Sequence, residues 1–312
     1  MKKVKTLLKT NRFIAYIGAV FCTLLWGTAF PFIKLGYSAF QIADNDIGAM
    51  LLFAGFRFTL AGIMVYAVLC VKEKKPFLLG RNDILPVAVL GLVQTFGQYI
   101  FTYIGIGFTS STNTSIITAC GSFFTVLLAS LFFKNDKLTV LKIAGCAVGF
   151  AGVLAVNRGV AINIDTLFGD IMILFSTVSA ASGNIISKKI SLGRNPMKMT
   201  AFQLTIGGVA LVAIGLVLGG RLAVVSVQSV LILLWLAFVS AGAFSLWSFL
   251  LKYHPASVIS VFNLLVPIFG TVLSGVILGE DVFRIETLIS LVLIVAGIVL
   301  VNLNIKRCNL KT

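Results

Sequence analysis

The sequence predicts an all-α membrane protein of ten transmembrane helices, built as two inverted five-helix repeats with both termini cytoplasmic. Three observations carry this. Apolar runs of roughly 20 residues recur along the chain, each long enough to cross about 30 Å of hydrocarbon as a helix. Lys and Arg gather in alternate breaks between those runs. One pattern, two apolar runs around a charged break, occurs twice at a constant spacing.

Composition excludes the common alternatives. The 312 residues are 59% hydrophobic and 11% charged, whereas a soluble domain carries about 25% charged residues. A backbone in lipid must satisfy its own hydrogen bonds, so the runs are helices or barrel strands. Barrel strands alternate in polarity and these runs do not, so helices win. The net charge of +15 would suit nucleic acid, but the basic residues lie in short clusters between apolar runs. No nucleic-acid partner is expected. Cys22, Cys120 and Cys146 fall inside apolar runs, Cys70 ends one, and Cys308 lies in the basic tail. Neither a disulfide framework nor a zinc spacing is present. The basic N-terminus resembles a signal peptide, but its apolar run is too long for an h-region and lacks a small-residue cleavage site.

The expected spans follow in order. The first, 13–34, holds Trp26 just past its middle and ends at Lys34. The longest break, 35–47, carries Tyr37, Phe40, Asp44 and Asp46, and either lies at the interface or extends the second helix. The second span is 48–71. The third, 84–107, carries Gln94, Gln98 and Thr102 at i, i+4 and i+8, on one helix face flanked by Tyr99 and Tyr103. Spans four and five are 113–133 and 138–156. Span six, 167–188, has a small-polar stripe of Ser176, Ala180, Gly183, Asn184 and Ser187. Span seven is 198–219. Span eight, 230–251, places Trp235 near its outer end and Trp247 between Ser245 and Ser248. Span nine, 256–278, has Asn263 one turn before Pro267, a plausible hinge because proline frees a backbone carbonyl. Span ten is 285–304.

Residues 111–157 and 256–302 slide onto each other without a gap. Asp136 then falls on Asp281, Phe124 on Phe269, Ala151-Gly152 on Ala296-Gly297 and Asn157 on Asn302. Such duplication is a signature of membrane transporters. It divides the chain into repeats 13–156 and 167–304. Of the 25 Lys and Arg, 20 fall on the side of the N-terminus, leaving Lys34, Arg57, Arg158, Arg221 and Arg284 opposite. The bias alternates correctly only with an even number of spans and puts both ends inside.

The chain resembles the drug/metabolite transporter superfamily, specifically its EamA-type ten-helix members. The matching residues are Trp26-Gly-Thr-Ala-Phe-Pro-Phe-Ile-Lys34, Phe56-Arg57-Phe-Thr-Leu-Ala61, and Tyr103-Ile-Gly105 with Thr109-Ser110. Pro267, Leu278-Gly279-Glu280 and the Ala-Gly endings of spans five and ten complete the set. The first half departs from the pattern: Lys134-Asn135 stands where Gly-Glu is expected, and Ser122 where a proline is usual. The resemblance implies two halves packed around a central cavity and the carriage of metabolites.

The candidate site follows from depth. Counted from the expected span ends, no ionisable residue reaches the middle third of any span; Arg57 is the deepest, two turns below the outer face. Lys34 and Arg57 read as snorkelling cations or partners of Asp44 or Asp46, the alternative being a cationic mouth that faces an anion. The midplane instead holds amides and aromatic rings. The expected substrate-binding residues are Trp26, Gln94, Gln98, Tyr99, Tyr103, Asn184, Trp247 and Asn263, with Pro267 as hinge. Polar side chains also bridge helices as glue, but two stacked amides on one face exceed what packing needs. The GxxxG spacings at 145–149, 215–219 and 275–279 read as packing, and Glu280 as a structural corner.

No enzyme is expected. His254 is the lone histidine, and no buried Ser–His or paired aspartates exist at depth. Neither a cofactor nor a metal is expected. The expected activity is export of small organic metabolites, chiefly amino acids or related compounds, across the cell membrane by alternating access. The partners would be a small-molecule solute and the lipid bilayer, with the protein a monomer or weak homodimer. Two rivals remain: an organophosphate or nucleotide-sugar exchanger, and a membrane scaffold.

Overall fold

The computed structural model describes residues 6, 8, 10–43, 45–106, 108, 109, 111–156, 166–278 and 285–308. Among them every regular element is helical. We number the helices α1 Arg12–Phe40, α2 Ile47–Glu73, α3 Arg81–Ile106, α4 Ser111–Phe132, α5 Val140–Val156, α6 Leu167–Ser191, α7 Pro196–Val217, α8 Val227–Tyr253, α9 Ala256–Ile277 and α10 Ile285–Cys308. Seven of these, α1–α3 and α6–α9, are long and apolar enough to cross a membrane. Shorter apolar helices, Ile117–Phe132, Val140–Ala155 and Leu288–Leu303, lie within α4, α5 and α10.

Local chemistry sets the helix ends. The Asn11 side chain caps α1, accepting from the Phe13 and Ile14 amides at 2.9 and 3.4 Å. The helix runs past Lys34 through Tyr37 and stops where Gln41 turns left-handed at φ 54°. The first part of the break expected over 35–47, residues 35–40, is therefore the last turns of the first helix. Asp46 caps α2, accepting from the Ala49 amide at 2.8 Å. Asn195 caps α7, whose first position is Pro196, and Ser226 with Ser229 forms a capping box on α8.

Two helices depart from regular α geometry. Residues Gly91–Gly97 of α3 are π-helical. Residues Val261–Leu264 of α9 form a 3-10 turn. Pro267 lies just beyond it and cannot donate back to the Asn263 carbonyl, so the 3-10 turn occupies the stretch where the α ladder is broken.

The packing interleaves residues 13–156 with residues 167–304. Helix α2 packs along α7, α5 along α10, α1 against α8 and α9, and α6 against α3 and α4. Glycines permit the tightest crossings. A Cβ on Gly62 would stand 2.2 Å from Thr205 Oγ1, and one on Gly145 would stand 2.7 Å from the Gly297 carbonyl. Of the GxxxG pair at 215–219, only Gly215 packs closely: a Cβ there would stand 2.7 Å from the Leu52 amide nitrogen. Gly219 has φ 78° and open space around it, so it ends α7 rather than lining a helix contact. Gly279 and Glu280 lie outside the described residues.

Polar contacts gather the helix ends at one pole. Lys142 Nζ donates to Asp136 Oδ1 at 2.6 Å, and Asp136 Oδ2 accepts from the Ser257 amide at 3.1 Å, at the start of α9. Lys188 donates to the Leu251 and His254 carbonyls at the end of α8. His254 Nε2 donates to the Leu8 carbonyl at 2.8 Å. Arg194 pairs with Asp83, and Lys198 with Glu73 at 2.7 Å.

Candidate functional site

Asn184 is where four helices meet. Its Oδ1 accepts from Trp247 Nε1 of α8 at 3.1 Å and from Gln94 Nε2 of α3 at 3.3 Å. Its Nδ2 donates to Thr125 Oγ1 of α4 at 3.5 Å. Gly183, the residue before it, makes the approach possible: a Cβ there would stand 2.5 Å from Gln94 Cβ. Trp247, Gln94, Thr125 and Asn184 are all buried. Polar side chains are costly in hydrocarbon and need partners. Two atoms here remain unsatisfied: Gln94 Oε1, and Nε1 of Trp26, whose ring packs on Trp247, have no hydrogen-bond partner among the described residues.

Serine and threonine bridges extend the cluster. Thr102 and Ser176 hydroxyls lie 2.6 Å apart, Ser179 donates to the Val93 carbonyl at 2.6 Å, and Thr200 donates to Ser248 at 3.1 Å.

An arc of rings leads away from the amides. Trp247 packs on Trp26 at 5.0 Å between centroids, Trp26 on Phe244 at 5.5 Å, and Phe244 on Phe58 at 6.2 Å. Phe58 then packs on Tyr99 at 4.3 Å, and Tyr99 on Tyr103 at 6.4 Å.

Arg57 lies at this far end; it is the tenth of the 24 residues of the expected span 48–71, inside that span's middle third, so the expectation of an uncharged middle third fails there. It is ten residues into α2, about 15 Å along the helix axis and so in its middle third. It is 1% exposed. Its Nε donates to Ser240 Oγ at 2.9 Å, and its guanidinium lies 5.0 Å from the centroid of the Phe58 ring. Ser240 Oγ in turn donates to the Leu236 carbonyl at 2.9 Å. For Arg57, neither snorkelling nor pairing with Asp46 is seen: the side chain is buried, Asp46 caps α2, and Arg57 has no ion pair among the described residues, outside which Asp44 lies.

The expected site residues divide accordingly. Trp26, Gln94, Asn184 and Trp247 converge on the amide cluster, while Tyr99 and Tyr103 line the Arg57 end. Gln98 is half-buried and its side chain makes no hydrogen bond among the described residues. Of the expected face, Gln94 and Thr102 both reach α6, through Asn184 and Ser176, and α3 is π-helical between them over 91–97. Asn263 is half-buried in the 3-10 turn and joins neither group by a hydrogen bond.

Sequence reasoning passed over Gln203 of α7, fully buried with neither amide atom hydrogen-bonded among the described residues. It also passed over Ser240. An amide deep in an apolar run could have flagged Gln203; a lone membrane serine gave no such signal for Ser240. Two clefts, of about 380 and 350 Å³, lie away from the amide cluster, the second touching Ser245 between α2 and α8.

Comparison with known proteins bears on this arrangement. The model of the EamA-like transporter family matches residues 13–158 and again 167–303. The chain is 27% identical to the uncharacterized transporter YoaV of Bacillus subtilis, over 90% of this chain and 94% of that protein. It is 28% identical to a probable amino-acid metabolite efflux pump of Salmonella typhimurium, over 90% and 92%. It is 26% identical to the uncharacterized inner membrane transporter YedA of Escherichia coli, over 95% and 93%. One solved crystal structure superposes with a TM-score of 0.77 at 19% identity, covering 93% of this chain and 97% of its own, a likeness of fold. With a family match across both halves of a helical membrane chain, this protein belongs to the EamA-like transporter family.

Proposed function

We propose that the protein is a secondary transporter that exports small organic metabolites, chiefly amino acids or related compounds, across the cytoplasmic membrane. The observation that carries this is the set of buried, unpartnered polar atoms around Asn184, where helices from both halves meet. Trp26 Nε1 and Gln94 Oε1 offer one donor and one acceptor with no protein partner among the described residues. A fold retains such unpaired groups where a ligand completes them. The probable amino-acid metabolite efflux pump among the relatives supports the substrate class.

In this reading all ten helices cross the membrane, the repeats 13–156 and 167–304 run in opposite senses, and both termini are cytoplasmic. The cross-packing supports it: exchanging each helix with the fifth one after it turns the α1 contacts with α8 and α9 into the α6 contacts with α3 and α4. The halves rock about the solute. The 3-10 turn before Pro267 and the π-helical stretch of α3 are the places where helices bend. Chemistry on the solute is not part of the cycle.

Proteoliposomes loaded with a mixture of the twenty radiolabelled L-amino acids test this. Wild-type protein should release at least one of them faster than protein-free vesicles, and Trp247→Ala and Gln94→Ala should lose that release while still folding. Equal release by all three proteins would remove the site; no release by any would remove the substrate class.

A further inference from the structure

We infer that Arg57 anchors the carboxylate of the transported solute, so that the site takes carboxylate-bearing molecules rather than neutral ones. This rests on the transport reading above and narrows its substrate. A guanidinium is a permanent cation with five N–H donors in a planar fork. Only Nε–H is engaged, by Ser240 Oγ at 2.9 Å, leaving the four Nη donors without a hydrogen bond among the described residues. Burying a cation without a counter-charge is unfavourable, so a fold that holds one in the middle third of a membrane helix usually supplies an anion there. No carboxylate of the described residues does so. The surroundings are built to hold the guanidinium in place. Ser240 fixes its inner edge at 2.9 Å, and the Phe58 ring supports its face at 5.0 Å.

The chemistry selects a monoanion. An arginine fork matches the two oxygens of a carboxylate through parallel N–H···O bonds. A phosphate ester carries more charge and would call for a second cation, and among the described residues Lys34 is exposed while Lys142 and Lys188 are engaged at the pole described above.

The test is thermal protection of the purified full-length protein in detergent. The probes are the twenty L-amino acids, the C-terminal amide of each amino acid that protects, and glycerol 3-phosphate. The expected result is protection by one or more amino acids, none by the matching amides, and an apparent affinity weakened roughly tenfold to a hundredfold in Arg57→Gln. Arg57→Lys, which keeps the charge and loses the fork, should recover part of it. Protection by acid and amide alike would overturn the inference and leave transport standing; this arm uses wild-type protein, so it holds even if Arg57→Gln does not fold. Undiminished protection of Arg57→Gln would overturn it as well, as would protection by glycerol 3-phosphate alone. Protection by none of the probes would remove the amino-acid reading together with the inference.

Discussion

Trp247 of α8 donates its indole N–H to Asn184 of α6 across 3.1 Å. The same Asn184 oxygen accepts from Gln94 of α3. One amide oxygen therefore ties three helices together in the interior. Asn184→Ala removes the acceptor for two buried donors at once, whereas Trp247→Phe removes one donor and keeps most of the ring contact with Trp26. Interhelical hydrogen bonds in membranes are worth about 0.6–2 kcal/mol each. We expect Asn184→Ala to lower the melting temperature in detergent clearly more than Trp247→Phe, by an amount equivalent to about 2 kcal/mol against about 1. Equal shifts would show that Asn184 is not the junction.

Asp136 and Lys142 are buried and paired at 2.6 Å, and Asp136 also holds the first turn of α9. Removing one partner strands a buried charge, at a cost of about 3–5 kcal/mol. Asp136→Ala should therefore destabilise strongly. The double variant Asp136→Ala/Lys142→Met should be more stable than Asp136→Ala alone, because no stranded charge remains. A double variant worse than Asp136→Ala would contradict the pairing.

The two kinds of glycine should respond differently. Gly62→Ala places a Cβ 2.2 Å from Thr205 Oγ1 and 2.6 Å from the Ala201 carbonyl, so α2 and α7 must separate. Gly219→Ala meets nothing within 4 Å and costs only the strain of its φ of 78°, about 1 kcal/mol. Thermal unfolding in detergent should rank Gly62→Ala well below Gly219→Ala; the reverse order would place the close helix crossing elsewhere.

His254 makes the latched pole sensitive to acid. Burial pushes its imidazole below the ordinary value of 6.5, the hydrogen bond to the Leu8 carbonyl pulls it partly back, and the charges of Lys188 and Arg12 push it down again. With the folded value below the unfolded one, the unfolded chain takes up the proton first as pH falls. Stability is thus fully present above about pH 6.5 and is lost as pH drops through the folded value. Melting temperatures measured between pH 7.5 and 5 should fall more steeply for wild type than for His254→Asn. Parallel slopes would show that His254 does not set the dependence.

The spans were legible in the sequence because hydrocarbon demands long apolar runs, whatever the tertiary packing. Gln94, Asn184 and Trp247 stood out for the same reason, as polar groups deep in such runs. Three features were hidden. The first helix continues through Tyr37 to Phe40, because a left-handed Gln41 and not the charge of Lys34 ends it. The relation of Gln94 to Gln98 depends on a π-helical stretch that an even 3.6-residue count cannot contain. Arg57 read as a cation near a span end, because charge in a membrane segment suggests an interface. Its place ten residues into the span was countable, but its partner, Ser240 of α8, is a tertiary contact that the sequence does not show.

The central claim is that a small solute binds between the halves beside Trp26 and Trp247. Tryptophan emission of a Trp235→Phe variant reports on those two rings alone, since the chain has three tryptophans. Titration with each amino acid that the proteoliposomes release should change that emission saturably, and Asn184→Ala should abolish the change. Transport that proceeds with the emission of Trp26 and Trp247 unmoved would contradict the account.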